Sequence, residues 1–209
     1  MIIETFAVGP LGCNCSILVD PATNAAIVID PGGDFPRIRT AIEKKGAKVT
    51  AIIHTHTHID HVGATAPLQQ WSGARASIHE ADRMLYDMLP IQAAFVGIPV
   101  PQKCEIEGDL IDGTTVSAGG IEVGVLHTPG HTPGSVCFLV QSPSGPLLFA
   151  GDTLFRRSIG RTDLWGGDSP TILQSIRKKI FALDGVTKVI TGHGPSTTIA
   201  EEKRENPFR

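Results

Sequence analysis

Residues 54–61, HTHTHIDH, hold four of the chain's eight histidines and an aspartate within eight positions. Without a bound ion, so many imidazoles would bring several cations or unsatisfied hydrogen-bond donors together, which is unfavourable. In an extended segment alternate side chains share a face, so His56, His58 and Asp60 can point the same way while His61 points elsewhere. The segment therefore predicts a metal site and can supply ligands to two adjacent ions. His54 still lies in the preceding strand, where support of a ligand or plain packing is expected.

Three more segments place a potential ligand beside a glycine after a predicted strand. They are HTPGHTPGS at 127–135, FAGDTLF at 149–155 and TGHGP at 191–195. Their candidate ligands are His131, Asp152 and His193. A neighbouring glycine allows the backbone to turn tightly and bring the side chain to a crowded centre. Each segment is a weak signal alone, but together they predict that distant parts of the chain meet at the histidine cluster.

Short β-rich runs separated by glycine and proline signals predict strands. These strands are expected at 2–8, 14–19, 25–29, 49–54, 74–78, 116–117, 121–126, 136–141, 147–150 and 188–191. Helices are expected at 34–46, with Asp34 as the N-cap, and at 61–71, 80–89 and 169–183. Two similar halves, each with strands and covering helices, predict an α/β fold in which two sheets pack face to face.

Composition limits the other classes of function. A net charge of −3 and a pI near 6.2 give no electrostatic footprint for nucleic acid. No apolar run reaches the roughly 18 residues needed to span a bilayer, and residues 1–4, MIIE, do not resemble a leader peptide. The four cysteines show neither a disulfide framework nor zinc-ribbon spacing, which favours reduced thiols and the cytoplasm. Cys13 and Cys15 could hold a soft metal, but we expect small buried core residues.

Some segments leave two interpretations open. Residues 84–101 form a poorly periodic stretch with two internal prolines that is either a flap over a site or a packed surface helix with a connector. For His79, ahead of a predicted helix, capping or surface exposure is expected. His127 either supports the His131 loop or simply packs there.

Taken in order, the pattern HxHxDH, H, D, H resembles the metallo-β-lactamase superfamily over essentially the whole chain. The strings GDTLFRRSIGRTDLWGGD at 151–168 and TGHGPSTTIAEEKRENPF at 191–208 look most like short bacterial glyoxalase II enzymes. The resemblance implies a four-layer αββα sandwich, with two mixed sheets face to face and helices outside. It also implies that one metal is held by His56, His58 and His131, the second by Asp60, His61 and His193, and that Asp152 bridges them.

The resemblance implies an enzyme that binds two divalent metals and hydrolyses a small-molecule substrate. That substrate is a glutathione thioester, typically S-D-lactoylglutathione. Two such metals can share a water and hold it as a bridging hydroxide at neutral pH. Asp60, as ligand and hydrogen-bond acceptor, is the candidate catalytic residue that orients this nucleophile. Zinc is the default metal, although histidine and carboxylate ligands suit iron and manganese as well.

The chain departs from long glyoxalase II enzymes in two ways. Those enzymes carry a C-terminal helical domain that binds glutathione, whereas we expect a single domain over 1–209. Their G-K-x-Y contact is Gly160-Arg161-Thr162-Asp163 here. Arg161 could therefore grip a substrate carboxylate, or it could form a loop salt bridge to Asp163 or Asp168.

Other functions share these motifs. A persulfide dioxygenase of the same superfamily, which also carries GRTD, binds a single iron, and only His56, His131 and Asp152 would then be ligands. Lactonases, β-lactamases and other thioesterases use the same kind of two-metal site. A zinc-stabilised binding module is a further class, but seven ligands for two metals leave coordination positions open that a structural site does not need.

Overall fold

Fourteen strands and seven α-helices make up the fold in a computed structural model that describes all residues, Met1–Arg209. The strands are β1 Ile2–Val8, β2 Cys13–Val19, β3 Ala25–Ile29, β4 Lys48–Ile53, β5 Arg75–Ile78, β6 Gly108–Asp109, β7 Thr115–Ala118, β8 Ile121–His127, β9 Val136–Ser142, β10 Gly145–Gly151, β11 Leu154–Phe155, β12 Ser158–Ile159, β13 Lys188–Thr191 and β14 Thr197–Thr198. The helices are α1 Phe35–Lys44, α2 Ile59–Val62, α3 Thr65–Ser72, α4 Arg83–Asp87, α5 Leu89–Val96, α6 Ser169–Ser175 and α7 Ile199–Glu205.

Twelve of these strands form two mixed sheets of six. The first has the order β1-β2-β3-β4-β5-β6, antiparallel through β3 and parallel from β3 to β6. The second has the order β14-β13-β10-β9-β8-β7, in which β10 and β13 are the parallel pair. Parallel neighbours end at the same edge of a sheet, which is how residues far apart in sequence reach one place.

The two sheets pack face to face through the alternation of side chains along their strands. In β3, Ile27 and Ile29 join the core between the sheets, whereas Val28 between them points to the outer face. In β10, Phe149 points inward and Leu148 outward. Every one of these side chains is almost fully buried, so both faces of each sheet are covered.

Helices supply the outer layers. Ile38 of α1 and Leu68 of α3 pack on the outer face of the first sheet. Ile172 of α6, Ile180 in the wider turn that extends α6, and Ile199 of α7 cover the second. The four-layer αββα sandwich and its two mixed sheets are therefore confirmed. None of the helices is long and apolar enough to cross a membrane.

Asp34 occupies the N-cap position of α1, as predicted. It has a φ of 50°, and its side chain makes no capping bond. Its carboxylate instead accepts a hydrogen bond from the amide of Gly9, at 2.9 Å. Pro36 in the first turn and Gly46 just beyond the last turn follow the predicted pattern.

Two predicted helices are interrupted. The helix expected at 61–71 is split into α2 and α3 around Gly63. The backbone of Gly63 lies so close to that of Gly32 that a Cβ there would be 2.4 Å from the Gly32 carbonyl oxygen, so this position requires glycine. The helix expected at 80–89 consists of a 3-10 turn, Glu80–Asp82, and α4, and it gives way to α5 after Met88. The stretch 84–101 thus contains two short helices and a connector. Close backbone packing is a tertiary effect that periodicity does not report.

Candidate metal centre

The candidate ligands meet at one edge of the sandwich, beyond the carboxyl ends of its parallel strands. Residues 54–61 follow β4, Asp152 follows β10, and His193 follows β13. His131 lies in the loop between β8 and β9. All seven predicted ligands are therefore brought together by the two sheets, as the strand-end pattern predicted.

His56, His58 and His131 form the first group. The Nε2 atom of His131 lies 3.2 Å from Nε2 of His56 and 2.9 Å from Nδ1 of His58, and those two nitrogens are 3.1 Å apart. All three side chains are buried. Three ring nitrogens converging on one point form a set that could hold a metal ion.

Asp60, His61 and His193 form the second group. The Nε2 atom of His193 lies 3.1 Å from Oδ2 of Asp60 and 3.3 Å from Nε2 of His61. Nε2 of His61 is in turn 3.8 Å from Oδ2 of Asp60. This set could hold a second ion, and it has the mixed imidazole and carboxylate chemistry common in zinc and iron sites.

Asp152 lies between the two groups. Its Oδ1 is 3.4 Å from Nε2 of His61, and its Oδ2 is 3.6 Å from Nε2 of His131 and 3.7 Å from Nε2 of His193. A Cβ on Gly192 would lie 2.0 Å from Oδ1 of Asp152, so this close approach requires glycine. One carboxylate thus faces both sets of imidazoles.

The chemistry of this centre fits bound cations. Oδ1 of Asp152 is buried without any hydrogen-bond partner, an arrangement that needs an explanation in a folded protein. Nε2 of His58 is also buried and unpartnered, but it is Nδ1 of that ring that faces the other two imidazoles. Burial lowers the pKa of His58 to about 3 and that of His56 well below its usual value, which keeps both rings neutral with a lone pair available. Burial would raise the pKa of Asp60, but His61 and His193 hold it below the ordinary value, so Asp60 is ionised.

The ring nitrogens that face away from the centre are held by acceptors. Nδ1 of His61 donates to Oδ2 of Asp30 at 3.0 Å, and Nδ1 of His131 donates to the carbonyl oxygen of Arg161 at 2.7 Å. Nδ1 of His193 donates to the carbonyl oxygen of Leu11 at 3.1 Å. These bonds fix the tautomer that directs Nε2 inward.

Sequence reasoning missed Asp30, at the end of β3. Its buried carboxylate holds His61 and also accepts from the amide of Thr55 at 2.7 Å and from the Thr55 hydroxyl at 2.6 Å. In the sequence VIDPGG, Asp30 stands at a strand end as Asp152 does, but Pro31 separates it from the glycines. The signal that identified Asp152 is therefore only partly present at Asp30, and the supporting role of Asp30 was not predictable.

Two more residues of the site were missed. Asp82, fully buried, accepts from the amides of Thr57 and Gly134 at 3.0 and 2.6 Å and so joins the two histidine loops. Gln92 of α5 accepts from the amide of Ile59 at 2.9 Å and donates to the carbonyl oxygen of Thr57 at 3.2 Å. Neither lies in a motif, and nothing local in the sequence distinguishes them from surface polar residues.

The remaining histidines lie outside the centre. His54 is buried, with Nε2 2.7 Å from the Thr65 hydroxyl and Nδ1 3.1 Å from a main-chain oxygen. His79 accepts from the amide of Ala81 and caps the 3-10 turn, as one of its two interpretations predicted. His127 stacks on His79, with ring centroids 4.0 Å apart, and donates to the carbonyl oxygen of Pro133 in the His131 loop.

The cysteines are free, and Cys13 and Cys15 are buried as predicted. Sγ of Cys13 lies 3.5 Å from Nδ1 of His61, on the side of that ring away from Asp152. Burial raises the pKa of Cys13 to about 12, so it is a neutral thiol at physiological pH.

A cavity of about 180 Å³ opens over the centre. Asp60 and Asp152 line its floor with His58 and His131, and Arg161 lies at its rim. The guanidinium of Arg161 forms a bidentate ion pair with the carboxylate of Asp163, at 2.7 and 2.8 Å, and both side chains are exposed. The loop ion pair that sequence analysis left open as one alternative is thus present.

The sequence of the chain matches the model of a known protein family. The model of the metallo-beta-lactamase superfamily matches residues 8–193, which span all seven candidate ligands. The chain belongs to the metallo-beta-lactamase superfamily.

Relatives in the superfamily share the full length of the chain. A hydroxyacylglutathione hydrolase named GloC, from Haemophilus influenzae, is 40% identical, and the match covers 100% of this chain and 98% of the relative. An uncharacterized protein from Mycobacterium tuberculosis strain H37Rv is 39% identical, with coverage of 100% and 97%. The chain is therefore similar over its full length to relatives of about the same length.

Solved structures of the superfamily superpose closely. A B3 metallo-beta-lactamase, BLEG-1, gives a TM-score of 0.91 at 35% identity and covers 99% of both chains. TTHA1623, solved in a di-iron-bound form, gives 0.88 at 34% identity, with coverage of 99% and 100%. ETHE1 from Myxococcus xanthus gives 0.81 at 27% identity, covering 99% of this chain and 84% of its own.

Proposed function

We propose that the protein is a two-metal hydrolase of glutathione-type thioesters, with S-D-lactoylglutathione as the representative substrate. The proposal assigns His56, His58 and His131 to one metal and Asp60, His61 and His193 to the other, with Asp152 shared. The observation that carries it is the position of Asp152, whose carboxylate lies within 3.7 Å of imidazoles from both groups. The likeness to GloC over the full chain supports the substrate class.

A pair of divalent metals, when bound, lowers the pKa of a water toward neutrality and polarises a carbonyl oxygen. Zinc is the default for such a ligand set, and the di-iron form of TTHA1623 supports iron as an alternative. Neutral His56 and His58 are suited to bind metal because their lone pairs are free.

The nucleophile is a water, because the cavity offers no alternative from the chain. No serine, threonine, cysteine or lysine lines it. Cys13 is buried behind His61 and keeps its proton. Asp60, ionised and lining the cavity, accepts a hydrogen bond from the attacking water at a carboxylate oxygen and so orients it.

A thioester suits this site because a thiolate leaves without help from a strong acid. Arg161 at the cavity rim is the residue that would contact an anionic thiol half, once the substrate carboxylate has displaced Asp163. Solvent screens this exposed ion pair, so its displacement costs little. Free thiols throughout the chain support a cytoplasmic location.

The test is thiol release from S-D-lactoylglutathione by purified, metal-replete protein. Asp60→Ala is expected to abolish turnover while keeping the circular dichroism spectrum of the folded protein. The matched control Asp87→Asn, which changes an exposed aspartate remote from the cavity lining, should keep wild-type activity. Full activity in Asp60→Ala would contradict the mechanism, and no turnover by the wild type would remove this substrate class.

The likeness to ETHE1 favours one second candidate, a persulfide dioxygenase with a single iron held by His56, His131 and Asp152. The two functions differ in consumption of oxygen and in metal count. Oxygen uptake with glutathione persulfide, together with one iron per chain, would replace the hydrolase proposal. Hydrolysis of a β-lactam should be measured in the same preparation, because the chain is similar to BLEG-1.

A further inference from the structure

The cavity over the centre has one apolar side. Six of its twelve lining residues are apolar, namely Leu11, Ile59, Phe95, Val96, Leu164 and Trp165. The other six lining residues are polar or charged and include the imidazoles and carboxylates already described. A site with one polar and one apolar wall holds a ligand in a single orientation, with its reacting group on the polar side.

The apolar wall includes a large aromatic side chain that the fold leaves open. Phe95 of α5 is 63% exposed, and its ring packs edge to face on Trp165 with centroids 5.4 Å apart. The sequence of α5, LPIQAAFV, is apolar nearly all round, so the helix has more apolar surface than its packing uses. Exposed aromatic surface at the mouth of a cavity is typical of a binding site.

The wall is held rigidly against the candidate ligands. Gln92, buried on the inner face of α5, bonds the main chain of Ile59 and Thr57 in the segment that carries His58. On the other side, the loop that carries Trp165 begins at Arg161, whose carbonyl oxygen accepts from His131. A ligand that touches Phe95 and Trp165 is therefore placed at a fixed distance from the imidazoles.

The basic side chain at this cavity is already paired, and the carboxylates of Asp60 and Asp152 belong to the candidate metal centre. Arg161 is the one lysine or arginine that lines the cavity, and its guanidinium is neutralised by Asp163. The volume of about 180 Å³ compares with the ~150 Å³ of an apolar cavity known to accept benzene. The wall thus fits an uncharged apolar group about the size of a benzene ring.

Resting on the proposed thioester hydrolysis, we propose that Phe95 and Trp165 form an apolar subsite that selects thioesters with a benzene-sized apolar group beside the reacting carbonyl. That group can belong to the acyl half or to the thiol half, since both flank the carbonyl. The subsite makes a lactoyl thioester, whose acyl group carries a single methyl, a poorer substrate than a homologue with an aryl or longer alkyl group.

The test compares pairs of thioesters that differ in one group. In the acyl arm, S-D-mandeloylglutathione replaces the lactoyl methyl by phenyl; in the thiol arm, the lactoyl thioester of benzyl mercaptan is compared with that of ethanethiol. The expected result is a kcat/KM about tenfold higher for the aryl member of one arm. Phe95→Ala should remove most of that ratio. Ile91→Ala, an exposed apolar residue of the same helix that does not line the cavity, should preserve it.

A second readout does not depend on turnover. Calorimetry should show tighter binding of D-mandelate than of D-lactate, or of benzyl mercaptan than of ethanethiol, with the difference reduced in Phe95→Ala. Equal affinities and equal kcat/KM values in both arms would overturn the subsite while leaving the hydrolase standing. A dimer lost in Phe95→Ala, with substrate ratios unchanged, would also overturn it and assign the wall to a second copy. Absence of any thioester turnover would remove the proposed function, and calorimetry alone would then decide the subsite.

Discussion

At the scale of single residues, the centre depends on groups that direct the candidate ligands as much as on the ligands. Asp30 holds the outer nitrogen of His61 and two groups of Thr55, and it is almost fully buried. Partners of this kind orient a ring and keep its inner nitrogen free for a metal. Even a substitution that preserves the size of such a partner should weaken metal binding, because it changes the direction of the hydrogen bonds.

Asp30→Asn is expected to weaken metal binding about 10- to 100-fold. The new amide would set N–H groups against the Thr55 hydroxyl and the His61 ring nitrogen, both of which donate to Asp30 in the folded protein. Competition with a chromophoric chelator measures the change. The exposed Asp87→Asn provides the control, and wild-type metal affinity in Asp30→Asn would refute the role.

Asp82→Ala is expected to lower the free energy of unfolding of the metal-free protein by about 3 kcal/mol. The substitution leaves the buried amides of Thr57 and Gly134 without acceptors, at a cost of about 1–3 kcal/mol each. Urea denaturation in the presence of a chelator measures this loss of unfolding free energy. Asp82→Asn, which retains one acceptor oxygen, should lose less, and equal stability of Asp82→Ala and wild type would contradict the assignment.

At the scale of elements, short apolar β-rich runs bounded by turn signals were predictable as strands, and the breaks between short helices were not. The runs AAIVI in β3 and GPLLFAG in β10 have apolar side chains on both faces, as expected of strands that are buried on both sides. Gly63, at the break between α2 and α3, packs against the backbone of Gly32, and β6, β11, β12, β14 and α7 are short segments with no clear periodic signal. Contacts between distant segments decide such features.

The turn after β2 gives a pH prediction. The Thr23 hydroxyl, with the amides of Gly120 and Ala22, lowers the pKa of Asp20 to about 2. The unfolded value is about 3.9, so the contribution of Asp20 to stability is complete above that value and is lost as pH falls toward 2. In urea titrations of metal-free protein, the difference in the free energy of unfolding between wild type and Asp20→Asn should narrow from pH 5 to pH 2.5. A constant gap would contradict the assignment.

At the scale of the whole molecule, the sequence predicted two sheets packed face to face, and the resemblance to the superfamily implied the αββα sandwich and the set of seven ligands. The structure brings these side chains together because they follow strands that end at one edge of the two sheets. The sequence did not predict the buried supports Asp82 and Gln92, whose partners are main-chain groups of distant loops. Nor did it predict the apolar wall, since the contact between Phe95 and Trp165 joins segments 70 positions apart in the numbering.

Metal removal tests the coupling between the centre and the fold. Ions that bind only the folded chain stabilise it by about 2.7 kcal/mol at a concentration 100 times the Kd. For a chain of this size that corresponds to a Tm roughly 5–10 °C higher. Calorimetric scans before and after chelation, and after metal is returned, measure the shift, and an unchanged Tm would show that the cluster does not bind metal in the folded protein.

The most direct test of the two-metal centre is the number of ions per chain, determined by native mass spectrometry of the metal-replete protein. We predict two ions in the wild type and fewer than two in Asp152→Ala, because that carboxylate faces both imidazole groups. One ion per wild-type chain under metal saturation, or two ions retained in Asp152→Ala, would contradict the assignment of Asp152 as the shared ligand.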